Sequence, residues 1–285
     1  MIRRRALPAT AHKPRSGRLV IICLGILFLL AALSIVGPLV SPYSLEAIAF
    51  SESFLSPTFA ELRLFGTDDL GRDLFVRTLK GTQMTLLVAL VASLVSLVIG
   101  VLYGAIAGFA GGKTDVFMMR AVDALYAMPF IFFVILLMVV FERSFFLIFV
   151  AIGAINWLDT ARIVRGQTMS LKQQAFVDAA RLTGVSTAGI LFRHIAPNLI
   201  GVVVVYITLT IPQVMLFESF LSFLGLGVQE PQTSLGALVS NGVSRMEVAP
   251  WMLLFPASFL ALLLICFNFL GDGLRDLLDP KSHVA

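Results

Sequence analysis

Apolar residues run along this chain in six stretches free of charge: residues 19–45, 81–112, 124–141, 144–158, 194–217 and 248–271. About 20 apolar residues cross a bilayer as a helix, so the pattern predicts an all-α, polytopic membrane protein with six transmembrane helices. The fourth stretch is short, and its helix is expected to continue past Asp159 towards Arg165 with polar ends at the interface. The first stretch follows Arg3, Arg4 and Arg5 and loosely resembles a signal peptide. A cleaved signal carries an apolar region of only about 7–15 residues, so a retained first helix is expected.

Composition supports the same class. Of 285 residues, 58% are apolar and 13% charged, against roughly 45–50% and about 25% in soluble domains. Mean hydropathy is +0.95. An ordinary soluble enzyme, a disordered chain and a nucleic-acid binder are excluded. Cys23 and Cys266 each lie in a long apolar run and read as packing residues rather than a disulfide or metal site.

The net charge of +4 matters through its distribution, because cytoplasmic loops collect Lys and Arg. Six helices put both termini on one side. With the N-terminus inside, 15 basic residues fall on cytoplasmic segments and 6 on external ones, which predicts cytoplasmic termini. Residues 42–80 and 219–249 are then external, the latter folding back on the membrane face, and residues 164–196 are internal.

The chemistry expected of a self-energised carrier or an enzyme is missing. Ion-coupled carriers need ionisable groups or broken helices near the midplane. Asp159 sits near the cytoplasmic end of its helix with Arg162 at i+3, a spacing that suits a local ion pair. Glu218 reads as a solvated interfacial acid. Gly108 to Thr114 resembles the end of a phosphate-binding loop but has Ala107 where that pattern needs glycine. Scattered histidines (His12, His194, His283) suggest no metal site, and no cofactor is expected. Gly100, Gly104, Gly108 and Gly112 recur every four residues and form a small-residue stripe suited to close helix packing, within the chain or between subunits.

The internal segment holds a further pattern. Residues 168–182 suit a helix that Gly184 can end in a left-handed conformation. Ser186 and Thr187 can cap a second short helix running towards His194, and Pro197 suits the start of the next span. The product is a helix–turn–helix elbow, read either as a docking element or as a solvated connector. Outside, residues 219–230 suggest a short interfacial helix ending in a flexible turn, with Glu218, Ser222, Gly225 and Gly227 as candidates for an outer gate or dock; a plain membrane-surface helix is the other reading.

The spacing Asp178-Ala179-Ala180-x3-Gly184-x9-His194-x-Ala196-Pro197 resembles the E-A-A-x3-G-x9-I-x-L-P signature of binding-protein-dependent ABC importer permeases. Asp178, His194 and Ala196 depart from it. Phe65-Gly66-Thr67-Asp68-Asp69-Leu70-Gly71-Arg72-Asp73 and Glu218 through Gly227 resemble segments of the dipeptide, oligopeptide and nickel group. Gly271 through Pro280 resembles that group's C-terminal ending. Trp157–Leu171 and Met246–Trp251 are most similar to the oligopeptide permease C subunits. The resemblance implies the ABC type I importer permease fold. It divides the chain into residues 1–80 (tail, first helix, external segment) and a permease core at 81–285, whose cytoplasmic coupling loop is 164–196. Asp178, Ala179, Ala180, Arg181, Gly184, Val185, Ser186 and Thr187 would form the ATPase-coupling loop, and Gly100, Gly104 and Gly108 would serve helix packing. It further implies a multi-pass protein of the bacterial inner membrane, non-catalytic itself. Its partners would be a second homologous permease, two ATPase subunits and an extracytoplasmic peptide-binding protein. A dipeptide, nickel or other small solute, or a stand-alone homo-oligomeric channel, remains the alternative.

Overall fold

Ten α-helices are described in a computed structural model covering residues 15–140 and 145–278. Arg3, Arg4, Arg5, Lys13, Arg143 and Lys281, which entered the charge asymmetry, lie outside the described residues, as do His12, His283 and Pro280. The helices are α1 Arg15–Val40, α2 Leu74–Ala110, α3 Gly112–Tyr126, α4 Phe130–Val140 and α5 Phe145–Leu171. They continue as α6 Ala175–Leu182, α7 Thr187–Ile190, α8 Ala196–Phe223, α9 Leu235–Arg245 and α10 Trp251–Leu278. Among the described residues no strand forms; two isolated antiparallel bridges, Thr58 with Arg63 and Thr67 with Asp73, brace the segment before α2.

Four helical stretches are long and apolar enough to cross a membrane: Gly17–Val40, Leu74–Ala110, Thr187–Phe223 and Trp251–Leu277. The stretch at 124–141 is not one helix. It is interrupted between α3 and α4 at Pro129, because a proline disfavours helical geometry in the residue before it. The Pro129 carbonyl then accepts from Phe132 N at 3.0 Å, opening α4, which has only 11 residues.

The long helix α2 is the spine. Asp73 caps it by accepting from Val76 N at 2.9 Å, and Gly111 ends it at φ +68°. Its 37 residues span about 55 Å at 1.5 Å per residue. Around its middle, Val88, Ala89 and Ala92 pack with Leu30 of α1, Val214 and Met215 of α8 and Leu263 of α10. At its far end, Ala105 and Phe109 join Val164, Val177, Ala180, Ile195 and Leu199. At its near end, Leu74 packs with Leu238, Ala249 and Met252. Side chains such as Ile21, Phe28 and Leu39 on α1 are exposed, as a lipid-facing helix requires.

The glycine stripe of α2 meets α5. A Cβ on Gly100 would lie 2.5 Å from Thr160 Cβ, and one on Gly108 would lie 2.6 Å from Arg165 O. Gly104 faces the Ala161 carbonyl and the Arg165 N. Gly112, in contrast, meets nothing at φ +56°. At the same end Asp115 of α3 takes a two-pronged bond from Arg165, with Nη2 at 2.6 Å from Oδ2, and this bond holds its carboxyl below the usual range.

Three local expectations are corrected. Residues 168–182 form two helices, because the chain turns at Lys172–Gln174 and Gln174 is extended. The turn lets α6 bury Val177 and Ala180, which a straight continuation of α5 would carry away from the core. Lys172 Nζ meanwhile reaches the Phe109 carbonyl at the end of α2 at 2.5 Å, a favourable place for a cation. Residues 219–223 are the last turns of α8 rather than a separate helix, and the helix of that external segment is α9. Arg162 does not pair with Asp159 but reaches Asp123 of α3 at 2.8 Å.

Candidate functional site

The elbow is built by a turn with a defined bond pattern. Val185 N bonds Ala180 O at 3.1 Å, and Gly184 N bonds Arg181 O at 3.0 Å. Those are the paired closing bonds of a Schellman motif, which needs a left-handed residue after the helix. Gly184 supplies it at φ +80°. Ser186 then accepts from Gly189 N at 3.2 Å and caps α7. One face of the elbow is anchored through Val177, Ala180 and Ile190. The other presents Arg181–Gly184 and Ser186–Ala188 to the outside, with Leu182 90% exposed. Ala179 is exposed and Val185 half-buried. Asp178 pairs with Arg181 at 3.2 Å, both exposed, so the pair adds little stability and both charges stay available to a partner.

The opposite end of the molecule gathers the other sequence motif. Phe65 stacks on Phe255 with ring centroids 4.0 Å apart, and the Thr67 carbonyl accepts from Trp251 Nε1 at 3.2 Å. Asp68 accepts from Arg72 Nε at 2.7 Å and from the backbone N of Leu70 and Arg72 at 2.9 Å. Arg72 and Arg77 both reach Glu230, at 2.9 and 2.8 Å. Two nearly buried guanidiniums are thus held by Asp68 and Glu230.

Beside this clamp, α8 ends in a second Schellman motif. Leu226 N bonds Leu221 O at 2.8 Å, Gly225 N bonds Ser222 O at 3.0 Å, and Gly225 has φ +73°. Gly227 lies against Ser222, where a Cβ would come 2.5 Å from the Ser222 Cα. Glu218 is fully buried rather than solvated. Its carboxylate accepts from Ser222 Oγ at 2.7 Å, and Ser222 contacts Ser234 at 3.3 Å. The start of α9 covers it: Leu235 N donates to Thr85 Oγ1 at 3.0 Å, and α9 sits down on Gly81 of α2. The structure therefore brings Glu218, Ser222 and Gly227 together and leaves Gly225 at the exposed turn.

A cavity of about 660 Å³ opens between the α3–α4 turn, α5 and α8. Tyr126, Asn156, Asp159 and Gln213 are its polar lining, and the remainder is apolar. Among the described residues no three His, Cys, Asp or Glu side chains gather as a metal centre.

Residues 100–284 match the family of binding-protein-dependent transport system inner membrane components. The chain belongs to this family. The match takes in α2 from the glycine stripe onward, the elbow and all later helices. This permease is also similar over nearly its whole length to proteins named as oligopeptide transport system permease protein OppC. That of Haemophilus influenzae is 52% identical over 272 residues, 95% of this chain and 86% of the relative. That of Escherichia coli is 53% identical over 258 residues, 90% and 85% of the two chains. The dipeptide transport system permease protein DppC of Bacillus subtilis is 41% identical over 268 residues, 94% and 83%.

Two groups in this permease escaped the sequence pattern. Glu230 carries no local motif, since its partners lie 153 and 158 positions away. Tyr126, which donates to Asp159 at 2.9 Å and lies under the Arg162 guanidinium at 4.5 Å, had no signal beyond its place at a span boundary.

Proposed function

We propose that this chain is one of two homologous permease subunits of an ATP-driven importer that takes up oligopeptides delivered by an extracytoplasmic binding protein. It lies in the bacterial cytoplasmic membrane as six helices of the ABC type I importer fold, with residues 124–141 and the first part of α5 as the third and fourth spans and both termini cytoplasmic. Residues 1–80 add the first span and external segment to a core at 81–285. ATP hydrolysis belongs to two separate partner subunits.

The observation that carries the reading is the elbow. A short helix fixed on one side to the ends of α2, α5 and α8 and bare on the other can take force from a partner and pass it to three long helices at once. Asp178, Ala179, Ala180, Arg181, Gly184, Val185, Ser186 and Thr187 are its coupling residues. The OppC relatives support oligopeptides as cargo. At the outer end, Glu218, Ser222, Gly225 and Gly227 form part of an outer gate or of the dock for the binding protein, where the start of α9 meets the end of α8 through the Ser222–Ser234 contact. A homo-oligomeric channel joined through the glycine stripe is disfavoured, because α5 of the same chain fills that stripe along Gly100, Gly104 and Gly108.

The test is reconstitution of the chain with its second permease, ATPases and binding protein in proteoliposomes. Peptide uptake that requires ATP and the binding protein is expected. Peptide flux without either component would overturn the reading in favour of a passive pore.

A further inference from the structure

We propose that the cavity between the α3–α4 turn, α5 and α8 is a subsite for the amino terminus of a peptide, with Asp159 receiving its ammonium group. The proposal rests on the importer reading and names what one wall of the path would hold.

Asp159 is the reason. A carboxylate among the apolar walls of a cavity needs a cation or a water-filled space. The cation that sequence spacing offers, Arg162, is turned away to Asp123, with its guanidinium carbon 4.5 Å from the centre of the Tyr126 ring. Among the described residues Asp159 has no ion-pair partner; the Tyr126 hydroxyl alone donates to it, on Oδ1. The Arg162 guanidinium lies over the Tyr126 ring, and the Tyr126 hydroxyl orients the carboxylate, which stays exposed.

The rest of the cavity suits a peptide. Its volume of about 660 Å³ lies in the range of roughly 300–1,000 Å³ typical of small-ligand pockets. Gln213, exposed on α8, brings a side-chain amide that bonds to peptide groups whatever the side chains are, while Asn156, whose Nδ2 already donates to the Ile152 carbonyl at 3.0 Å, adds a polar wall. Met128 and Leu216 supply apolar surface, the methionine being able to repack against differing side chains. One carboxylate is too few for a calcium or magnesium ion, which takes several oxygens, whereas an ammonium is satisfied by one carboxylate and neutral acceptors.

The experiment uses the assembled permease–ATPase complex in proteoliposomes without the binding protein, so that the binding protein's own selectivity does not enter. The probe is a tripeptide with a benzophenone side chain at its second position, as the free amine and as the N-acetyl form. We expect photolabelling on the segments around Asn156–Asp159 and Gln213–Leu216, with the free amine effective at about tenfold lower concentration, the size of one charge-assisted hydrogen bond. Asp159→Asn should abolish that preference and Asp159→Glu should restore part of it, with ATPase co-purification confirming assembly of each variant. Equal labelling by both forms in the wild-type complex, labelling elsewhere, or a preference that survives Asp159→Asn would overturn the subsite. The wild-type comparison decides the matter even if a variant fails to assemble. Failure of the importer reading is seen separately, as absence of ATP-dependent uptake when the binding protein is added back.

Discussion

Glu230 and Arg77 are 153 positions apart in the chain and 2.8 Å apart in space. Arg77 is almost wholly buried at the start of α2, and Asp68, 3.4 Å from its Nε, is already engaged by Arg72. Glu230 therefore ties the loop before α9 to the start of α2 and neutralises a charge that would be costly alone. Glu230→Gln should lower the stability of the folded permease by about 1–2 kcal/mol, less than for a fully buried pair because the glutamate is half exposed. Thermal unfolding in detergent reads the stability, and limited proteolysis of residues 224–234 should quicken in parallel. Unchanged protease sensitivity would mean that other contacts hold this loop.

The same clamp sets a pH dependence. Burial alone would raise the Glu230 carboxyl, but the hydrogen bond and charge of Arg77, with those of Arg72, outweigh it and take it below 4.5. A carboxyl lowered in the folded state stabilises fully above its unfolded value and loses that contribution as pH falls through the folded one. The stability gap between wild type and Glu230→Gln should therefore stay constant from neutral pH down to about 5 and close only below the ordinary glutamate range. Closure of the gap near pH 6 would show that another group governs the contact.

These contacts also show what the sequence could and could not reveal. The elbow was legible because its determinants are local: Ala179 and Ala180 favour helix, Gly184 takes a positive φ, and Ser186 caps within three residues. The close packing of α2 was legible for the same reason, as a four-residue period, although its partner was not. Glu218 was misjudged because its place near the end of a charge-free run says nothing of α9, which returns from residue 235 to cover it. The Asp159–Arg162 pair failed for a related reason. The i+3 rule compares residues on one helix, and Asp123 on a neighbouring helix outcompeted Asp159. The turn at 172–174 was hidden because its cause is the burial of Val177 and Ala180 against helices far along the chain.

Helix packing along the stripe gives a graded prediction. A side chain at Gly104 would meet the backbone of Ala161 and Arg165, which cannot step aside as a flexible side chain could. Gly104→Ala should cost about 1–3 kcal/mol, the usual range for overpacking, and Gly104→Leu should leave little folded protein in the membrane. Gly166→Ala, at a position on α5 with open space around it, serves as the control and should be neutral. Yield of monodisperse protein after extraction measures all three. Equal yields from Gly104→Leu and the control would mean that α2 and α5 do not pack this closely in the bilayer.

The elbow separates backbone from contact effects. Nothing lies within 4 Å of a Cβ on Gly184, so a substitution there acts only through the left-handed conformation, which costs a residue with a Cβ roughly 1–2 kcal/mol. Asparagine tolerates that conformation better than alanine, and a β-branched residue tolerates it worst. Co-purification of the ATPase subunits should therefore fall in the order glycine, Gly184→Asn, Gly184→Ala, Gly184→Val, while membrane insertion stays intact. Leu182 offers the complementary change. It is 90% exposed, so Leu182→Ser leaves the elbow's own packing alone and removes only surface that a partner would cover. If the exposed face is the ATPase dock, Leu182→Ser should weaken ATPase co-purification and peptide uptake together at unchanged thermal stability. Wild-type co-purification and uptake in both Leu182→Ser and Gly184→Val would make the elbow a connector and move the coupling contact to another part of the surface.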